Sequence, residues 1–188
     1  MKRVFAVLIV MVVFLKESTA QVFQKKDAHI SIGYGIGNVW KMYLKDAFSF
    51  PEYYTVKSTG PFCVLIDYAF HKKISAGIAA GYSETRGNAE YNGFVFKERL
   101  NAFSILARAN YHPFDIKNFD PYIGGGIGYY HFKYINELDR SAAHKVPGNL
   151  GYSAQLGARY YLNPKLAVYA ELGYIGGSLA QAGLTVKF

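Results

Sequence analysis

The feature that most constrains the fold of this chain is a repeated alternation of large apolar residues with very small ones. In residues 30–37, Ile30, Ile32, Tyr34 and Ile36 alternate with serine and glycine. A spacing of two residues places successive side chains on opposite faces of an extended strand. One face of each strand is therefore bulky and apolar, and the other is small. The pattern recurs and predicts eight strands, at residues 30–39, 62–70, 74–83, 103–112, 121–133, 150–160, 166–174 and 180–188.

The strand lengths and the two kinds of face indicate a closed barrel. About ten residues is the length of a tilted strand that crosses a bilayer. The small face, made of Gly, Ser and Ala with a few charges, is too small and too apolar for a good solvent-exposed face. A barrel solves this if large residues contact lipid and small ones fill a narrow interior. We predict an all-β fold, an eight-stranded antiparallel up-and-down transmembrane β-barrel; a soluble lipocalin-like barrel and a ten-stranded count are the alternatives.

The connections between the predicted strands alternate in length. Residues 71–73 and 163–165 are short turns, and 113–120 is a somewhat longer one. The opposite end has long segments at 38–60, 84–99 and 134–148, and a short one at 175–178. This alternation is typical of periplasmic turns and external loops. Both chain termini are then expected at the turn end.

Aromatic residues are unusually frequent, since 17 Tyr, 14 Phe and 1 Trp make up 17% of the chain. Glycine-tyrosine pairs such as those ending at Tyr34, Tyr82 and Tyr174 fall in the outer half of the predicted strands. Two aromatic bands at the membrane interfaces would explain the count. The alternative is the ordinary strand propensity of aromatic residues.

The N-terminus has the pattern of a secretory signal peptide over residues 1–20. Lys2 and Arg3 precede an apolar run at residues 4–15, and the small residues Ser18 and Ala20 precede a predicted cleavage site. A membrane anchor is the alternative, although the run is short for one. The barrel domain is then residues 21–188. Export argues against a nucleic-acid partner despite a net charge of +8, and one cysteine excludes a disulfide framework.

The C-terminal strand carries a recognisable pattern. Gln181, Gly183, Val186 and the terminal Phe188 resemble the assembly signal of outer-membrane β-barrels. With the signal peptide and the eight strands, the chain is similar to small porin-like barrels of the OmpA transmembrane-domain, OmpX and OmpW type. The resemblance implies the outer membrane of a Gram-negative bacterium. It also implies outer-membrane lipid, lipopolysaccharide and the barrel-insertion machinery as partners.

Charged residues fall on the small, interior face of the predicted strands. The candidates for interior ion pairs are Asp67, Arg108, Arg159 and Glu171. Arg159 and Glu171 lie diagonally across one predicted turn, which places long side chains within reach. We therefore predict an Arg159–Glu171 pair that Arg108 joins across the lumen. Such charges plug the barrel, because isolated buried charges are costly; a gate or an ion path is the alternative.

Catalytic and metal sites are weakly supported. None of the five histidines has metal-ligand spacing with another ligand, so we predict no metal and no cofactor. Lys133 stands where a small-barrel lipid A deacylase would place a serine two residues after His131. A set of Ser83, Glu84 and His131 at the outer rim is the remaining catalytic alternative. We predict no catalytic residues and a protein that is not an enzyme.

The first long loop combines aromatic and basic residues. Such a set suits contact with lipopolysaccharide phosphates or a surface ligand, or simply packing on the barrel rim. We predict a structural or surface role with adhesion or ligand contact through the loops. An OmpW-like conduit for small hydrophobic molecules is the alternative, and a lipid-modifying enzyme is third; no pattern indicates an oligomeric state. The loop contact candidates are Trp40, Lys41, Lys45, Tyr53, Tyr54 and Lys57.

Overall fold

Alternating strands close into a barrel in the computed structural model, which describes residues 23–47, 54–91, 94–136 and 149–188. Each strand pairs antiparallel with its neighbour in sequence, and the last pairs with the first, so the predicted eight-stranded barrel is confirmed. The predicted signal peptide, residues 1–20, lies outside the described residues. The elements are β1 Ala28–Asn38, α1 Val39–Ala47, β2 Tyr54–His71, β3 Ile74–Tyr91, β4 Phe94–Tyr111, β5 Phe119–Asn136, β6 Asn149–Tyr161, β7 Leu166–Ile175 and β8 Ser178–Lys187.

The two-residue alternation decides which side chains face outward. Ile32 and Leu172 are 66% and 59% exposed on the outer surface. Ser31 and Thr185 are fully buried inside, and their hydroxyl oxygens lie 2.7 Å apart in a hydrogen bond between β1 and β8. A closed barrel leaves no strand edge along this part of the wall, so small interior residues and a bulky apolar exterior are compatible.

The wall is taller on one side than the sequence pattern predicts. β2, β3, β4 and β5 each contain 18 residues. The predicted loop at residues 84–99 is therefore wrong for most of its length, because β3 and β4 continue through it as paired strands. The predicted loop at 38–60 contains α1 and the start of β2, and β5 enters the predicted loop at 134–148. We call residues 54–60, 83–91, 94–102 and 131–136 the four-strand extension.

Helix α1 packs on the inner side of this extension, against β2 and β3. Asn38 caps it, because its Oδ1 accepts hydrogen bonds from the backbone N–H groups of Trp40 and Lys41 at 3.0 and 3.2 Å. Leu44, on the covered face of α1, is 2% exposed. In the described ranges, no helix combines the length and apolar character needed to cross a bilayer.

The turn between β7 and β8 folds into the lumen. Gly176 and Gly177 adopt φ angles of +58° and +93°, which favour glycine. The Gly176 N–H donates to Ser104 Oγ of β4 at 2.9 Å, and its carbonyl accepts from Ser83 Oγ of β3 at 2.7 Å. β3 and β4 lie opposite β7 and β8 in the ring of eight strands. The turn therefore crosses the interior and ties its two sides together.

Replacing Gly81 of β3 tests this crossing, because a Cβ there would lie 2.8 Å from the backbone nitrogen of Gly176. We expect Gly81→Val to destabilise the folded barrel by about 1–3 kcal/mol through overpacking. The measurement is the midpoint of thermal unfolding in detergent, followed by the loss of the fast-migrating unboiled band. Gly125→Ala is the control, because its Cβ would meet only an ordinary contact, Ser153 O at 3.5 Å. Equal thermal unfolding midpoints for the two variants would contradict the packing of the Gly176 turn against β3.

Candidate functional site

The lumen holds charged side chains from four strands. All four predicted interior residues, Asp67, Arg108, Arg159 and Glu171, are buried, with at most 5% of each exposed. They lie on β2, β4, β6 and β7, so their contacts bridge the lumen as well as following the wall. We call these four residues with Asp120 and Tyr122 of β5 the central network.

Glu171 is held on both carboxylate oxygens. Arg108 binds it in a two-pronged contact, with Nη1 donating to Oε1 at 3.2 Å and Nη2 to Oε2 at 2.7 Å. Tyr122 Oη also donates to Oε2 at 2.8 Å, and Gln181 Nε2 to Oε1 at 2.7 Å. Charge-assisted, bidentate hydrogen bonds are among the strongest in proteins. β4 and β7 are therefore joined directly across the lumen.

Asp67 lies between the two arginines. Arg159 Nη2 donates to its Oδ2 at 2.5 Å, and Arg108 Nε lies 3.3 Å from its Oδ1. Arg159 Nη1 also donates to Asp120 Oδ2 at 3.2 Å. The ion pairs form one continuous chain, from Glu171 through Arg108, Asp67 and Arg159 to Asp120.

This pairing differs from the predicted Arg159–Glu171 contact. The register places Gly157 opposite Glu171, and the space above the glycine holds the ring of Tyr122. The Cζ atom of Arg159 lies 4.7 Å from the centre of this ring. Tyr122 thus separates the arginine from Glu171 and contacts both. The sequence pattern does not single out Tyr122 and Asp120, because the adjacent run of three glycines hides the phase of β5.

Aromatic rings close the lumen at the turn end. Phe23 stacks on His112 with ring centroids 3.7 Å apart, and it is buried although it precedes β1. Beside it, His29 Nε2 and Tyr161 Oη lie 2.8 Å apart in a hydrogen bond. Phe23, five residues before the start of β1, therefore forms the floor of the interior.

Three side chains above this floor are linked in the order serine, histidine and aspartate, as the nucleophile, base and acid of a catalytic triad are. Ser75 Oγ lies 3.1 Å from His112 Nε2, and His112 Nδ1 lies 2.6 Å from Asp120 Oδ1. Ser75 has no exposed surface, however, and Phe23 covers the imidazole. A catalytic triad needs space for a substrate carbonyl beside the nucleophile. The packing makes this set a structural hydrogen-bond chain.

The predicted catalytic alternative at the rim is not assembled. Ser83 faces the lumen and donates to Gly176 O. His131 lies on the other side of the wall, where it stacks on Tyr129. The sheet thus separates the serine from the histidine. Within the described residues, no group of three His, Cys, Asp or Glu side chains is arranged to hold a metal ion.

The lumen becomes apolar between the central network and the helix. Trp40 of α1 packs on Phe132 of β5, with ring centroids 4.6 Å apart, and thereby covers the opening. A cavity of about 10 Å³ adjoins the network between Leu106 and Ser153, which is room for roughly one water molecule. The buried residues of this apolar layer are Cys63, Leu65, Ala79, Leu106, Tyr130, Tyr169 and Ile175.

The loop contact candidates have different surroundings. Trp40 lies in the covered mouth of the barrel, while Lys41 of α1 is half-buried and Lys45 is exposed. Lys57 is exposed on the outer face of β2. Tyr53 lies outside the described residues. The predicted contact surface is therefore not one continuous face.

Tyr54, the last of these candidates, points to the inner side of the extension. It donates to Glu98 Oε2 at 3.1 Å, and Tyr134 donates to Glu98 Oε1 at 2.7 Å. Burial and the Glu98 carboxylate both raise the pKa of Tyr54 above its ordinary value, and they do the same for Tyr134. Both phenols therefore remain protonated donors, and the Glu98 cluster joins β2, β4 and β5 above the lumen.

The C-terminal pattern divides between the two faces of β8. Gln181 belongs to the interior, where it donates to Glu171. Gly183 pairs with Tyr169 of β7. Val186 and Phe188 face outward and are 40% and 70% exposed. The two apolar positions of the pattern therefore stand on the outer surface of the barrel.

Comparisons with known proteins agree with this geometry. A family model described as an outer membrane protein beta-barrel domain matches residues 5–187. The outer membrane protein OprG from Pseudomonas aeruginosa is 16% identical with a TM-score of 0.55, over 88% of this chain and 97% of its own. Ail, the attachment invasion locus protein of Yersinia pestis, is 15% identical with a TM-score of 0.47, over 88% and 100%. Among curated proteins, none matches this sequence.

Truncating Glu171 tests the central network. We expect Glu171→Ala to destabilise the barrel by about 3–5 kcal/mol, because it leaves buried donors of Arg108 without their carboxylate. The measurement is the midpoint of thermal unfolding of the refolded protein in detergent. Lys72→Ala, at an exposed position of the turn between β2 and β3, is the control. An unchanged midpoint for Glu171→Ala would show that the contact contributes little.

Proposed function

This chain belongs to the family of outer membrane proteins with a β-barrel domain, and on that premise we propose that it is a sealed barrel that acts through its surface. Its place is the outer membrane of a Gram-negative bacterium, reached by export with residues 1–20 as the signal peptide. The lumen serves as a structural plug. Adhesion or ligand contact is assigned to the end that carries α1 and the four-strand extension.

The observation that carries this proposal is the two-pronged contact of Arg108 with Glu171 across the lumen. An eight-stranded barrel has an interior only wide enough for side chains. A continuous water path would have to separate these two charges inside a poorly hydrated space. A buried charge separated from its partner is strongly unfavourable, so the paired, closed arrangement is favoured.

Three further contacts support a closed interior. Phe23 covers the floor, the Gly176 turn crosses the middle, and Trp40 covers the top. Each closure comes from a different part of the chain and uses different chemistry. A solute would have to displace all of them as well as the central network.

The position of the four-strand extension, the tallest part of the barrel wall, favours the surface role. The four-strand extension rises beyond the height at which β1 and β2 stop pairing, at Tyr34 and Phe62. Helix α1 supports its inner face, and its outer face is free of that packing. A rigid platform held above a membrane suits contact with lipid, lipopolysaccharide or another surface.

The alternative, an OmpW-like conduit for small hydrophobic molecules, is favoured by one feature of the wall. The ladder between β6 and β7 covers residues 155–161 of β6, and residues 150–154 lie beyond its end. The small cavity beside Ser153 adjoins this stretch and the apolar layer of the lumen. Uptake of an apolar dye by vesicles containing the protein, abolished by Ser153→Trp, would establish the conduit and refute the sealed barrel.

Conductance in planar bilayers tests the seal directly. We expect no ion conductance above the lipid baseline for the wild-type protein. The double variant Arg108→Ala with Glu171→Ala removes both partners of one closure, so no lone charge remains from this pair, and the floor, the Gly176 turn and Trp40 should still keep it near the baseline. Lys72→Ala, at an exposed turn, should stay silent. Conductance of the wild-type protein above the lipid baseline would overturn the proposal.

The C-terminal residue tests the proposed assembly signal for the barrel-insertion machinery. Phe188→Ala keeps the backbone hydrogen bond from Phe188 N to Ala28 O and removes only an exposed ring. We expect several-fold less heat-modifiable protein in outer-membrane fractions of cells, with unchanged refolding in detergent. Leu184→Ala, another outward apolar residue of β8, is the control. Normal assembly of the Phe188→Ala variant would show that Phe188 is not part of an assembly signal.

A further inference from the structure

Exposed lysines stand along one side of the turn end of the barrel. Lys25 and Lys26 precede β1. Lys117 lies in the turn between β4 and β5, and Lys165 lies in the turn between β6 and β7. All four side chains are exposed, although they come from three separate segments of the chain. We call these four residues the lysine arc.

Backbone hydrogen bonds hold the segments of the arc side by side. The N–H of Tyr161 donates to Asn118 O at 2.8 Å, which joins the β4–β5 turn to the end of β6. The N–H of Lys187 donates to Lys165 O at 2.7 Å, which joins the β6–β7 turn to β8. β8 in turn pairs with β1, which the first two lysines precede. The arc therefore has a fixed frame that runs from β5 round to β1.

The carboxylates at this end do not neutralise the arc. Asp27 is already paired with Lys187, whose Nζ lies 3.4 Å from Asp27 Oδ2. In the described turns and N-terminal segment at this end, Asp115 is the one further acidic side chain. Within the described residues, no ion pair joins a lysine of the arc to another side chain. Lys72 and Lys73, in the β2–β3 turn, add positive charge from outside the arc.

Lys26 occupies its position at a conformational cost. Its φ angle is +81°, in the left-handed region that glycine adopts more readily than other residues. Its N–H donates to Ala69 O of β2 at 2.6 Å, so the wall of the barrel holds this conformation. A glycine would make the same backbone bond with less strain, but it would remove a cation. Strained residues are concentrated at functional positions, which favours a role for this side chain.

Two observations place the arc on the aqueous side of this end instead of against lipid. Phe23 lies in the floor of the lumen and Lys26 is bonded to the wall, so Lys25 between them passes beneath the opening. The outward aromatic residues Phe70 and Tyr160 lie within β2 and β6, whereas the lysines of the arc lie beyond the strand ends. Aromatic residues in such positions mark the edge of the hydrocarbon core. The arc therefore faces the water below the membrane.

The arrangement of the arc favours a polymer over a single small anion. Exposed charges act over about 8–10 Å at physiological ionic strength, so an isolated anion would interact with only part of the arc. A chain of repeated anionic groups can contact several lysines at once and gains avidity from doing so. No arginine is exposed among the described residues of this end, so the forked donors that suit phosphate are absent there. These features fit a polymer that carries carboxylates.

We propose that the lysine arc binds the carboxylate groups of peptidoglycan, the cell-wall polymer on the periplasmic side of the outer membrane. The stem peptides of this polymer carry free carboxylates, and its glycan strands repeat them. The proposal gives the turn end a partner and thus goes beyond the surface role of the opposite end. It rests on the proposed placement of the barrel in the outer membrane, and it is independent of the sealed lumen.

The experiment measures binding of the folded barrel, in a neutral detergent, to purified peptidoglycan sacculi. Protein that sediments with increasing amounts of sacculi gives an apparent dissociation constant. A second probe is a preparation of sacculi in which the carboxylates have been converted to amides. A third is the same binding assay in micelles that contain phosphatidylglycerol, which offers the arc an anionic lipid instead.

Two triple variants are compared with the wild-type protein. The substitutions of the arc variant are Lys25→Gln, Lys117→Gln and Lys165→Gln. The control variant removes the same charge from exposed positions of the four-strand extension, at the opposite end of the barrel. The substitutions of the control variant are Lys57→Gln, Lys97→Gln and Lys133→Gln.

Exposed charge contacts are individually weak, so we expect the loss of three of them to weaken binding to sacculi by on the order of tenfold. The control variant should bind like the wild-type protein, and amidated sacculi should bind every form weakly. Equal binding by the arc variant and the wild-type protein would overturn the proposal, as would an equal loss in the control variant. Unchanged binding to amidated sacculi would also overturn it. Release of the wild-type protein by phosphatidylglycerol would assign the arc to lipid and refute the proposal.

Folding of the variants is checked by heat-modifiable migration before binding is measured. If the arc variant does not fold, the single variant Lys25→Gln replaces it, with an expected loss of about twofold. Lys57→Gln is then the matched control. A barrel that fails to bind sacculi can still be sealed, and a barrel that conducts ions can still bind sacculi. Failure of peptidoglycan binding and failure of the sealed lumen are therefore distinguishable.

Discussion

The pairing of buried charges inside a narrow barrel is the interaction on which the rest of this structure depends. A carboxylate or guanidinium removed from water is tolerated only when its partner and hydrogen bonds are in place. Asp67 and Glu171 meet this condition through Arg108 and Arg159, which come from other strands. Because these partners face each other across the lumen, they hold the ring at one diameter. The same contacts also fill the middle of the lumen.

The interior changes character from one end to the other. Aromatic stacking around Phe23 forms the floor, the charged chain occupies the middle, and apolar packing under Trp40 forms the top. The inward turn at Gly176 adds backbone hydrogen bonds between opposite walls. This layered filling leaves space for about one water molecule beside the network.

The outer surface is as ordered as the interior. Below the four-strand extension, aliphatic side chains face outward along every strand. A row of outward-facing aromatic residues lies at the upper edge of this apolar surface. Above, β2 to β5 continue as a sheet whose inner face is covered by α1 and joined by Glu98. Its outer face carries the row of Lys57, Arg86 and Arg99. The extension thus combines a supported inner face with a chemically distinct outer face.

The sequence by itself determined the strands, their faces, the closed ring and the burial of Asp67, Arg108, Arg159 and Glu171, because strand alternation is a local property of two-residue spacing. It placed Arg159 and Glu171 diagonally across one turn but did not determine the pairing, since Tyr122 reaches the space above Gly157 from another strand. Local sequence patterns also did not predict three further features, because packing across the ring stabilises them. These are the height of β2 to β5, helix α1 and the inward turn. Which charges meet depends on ring diameter and strand stagger, and only the tertiary structure sets these.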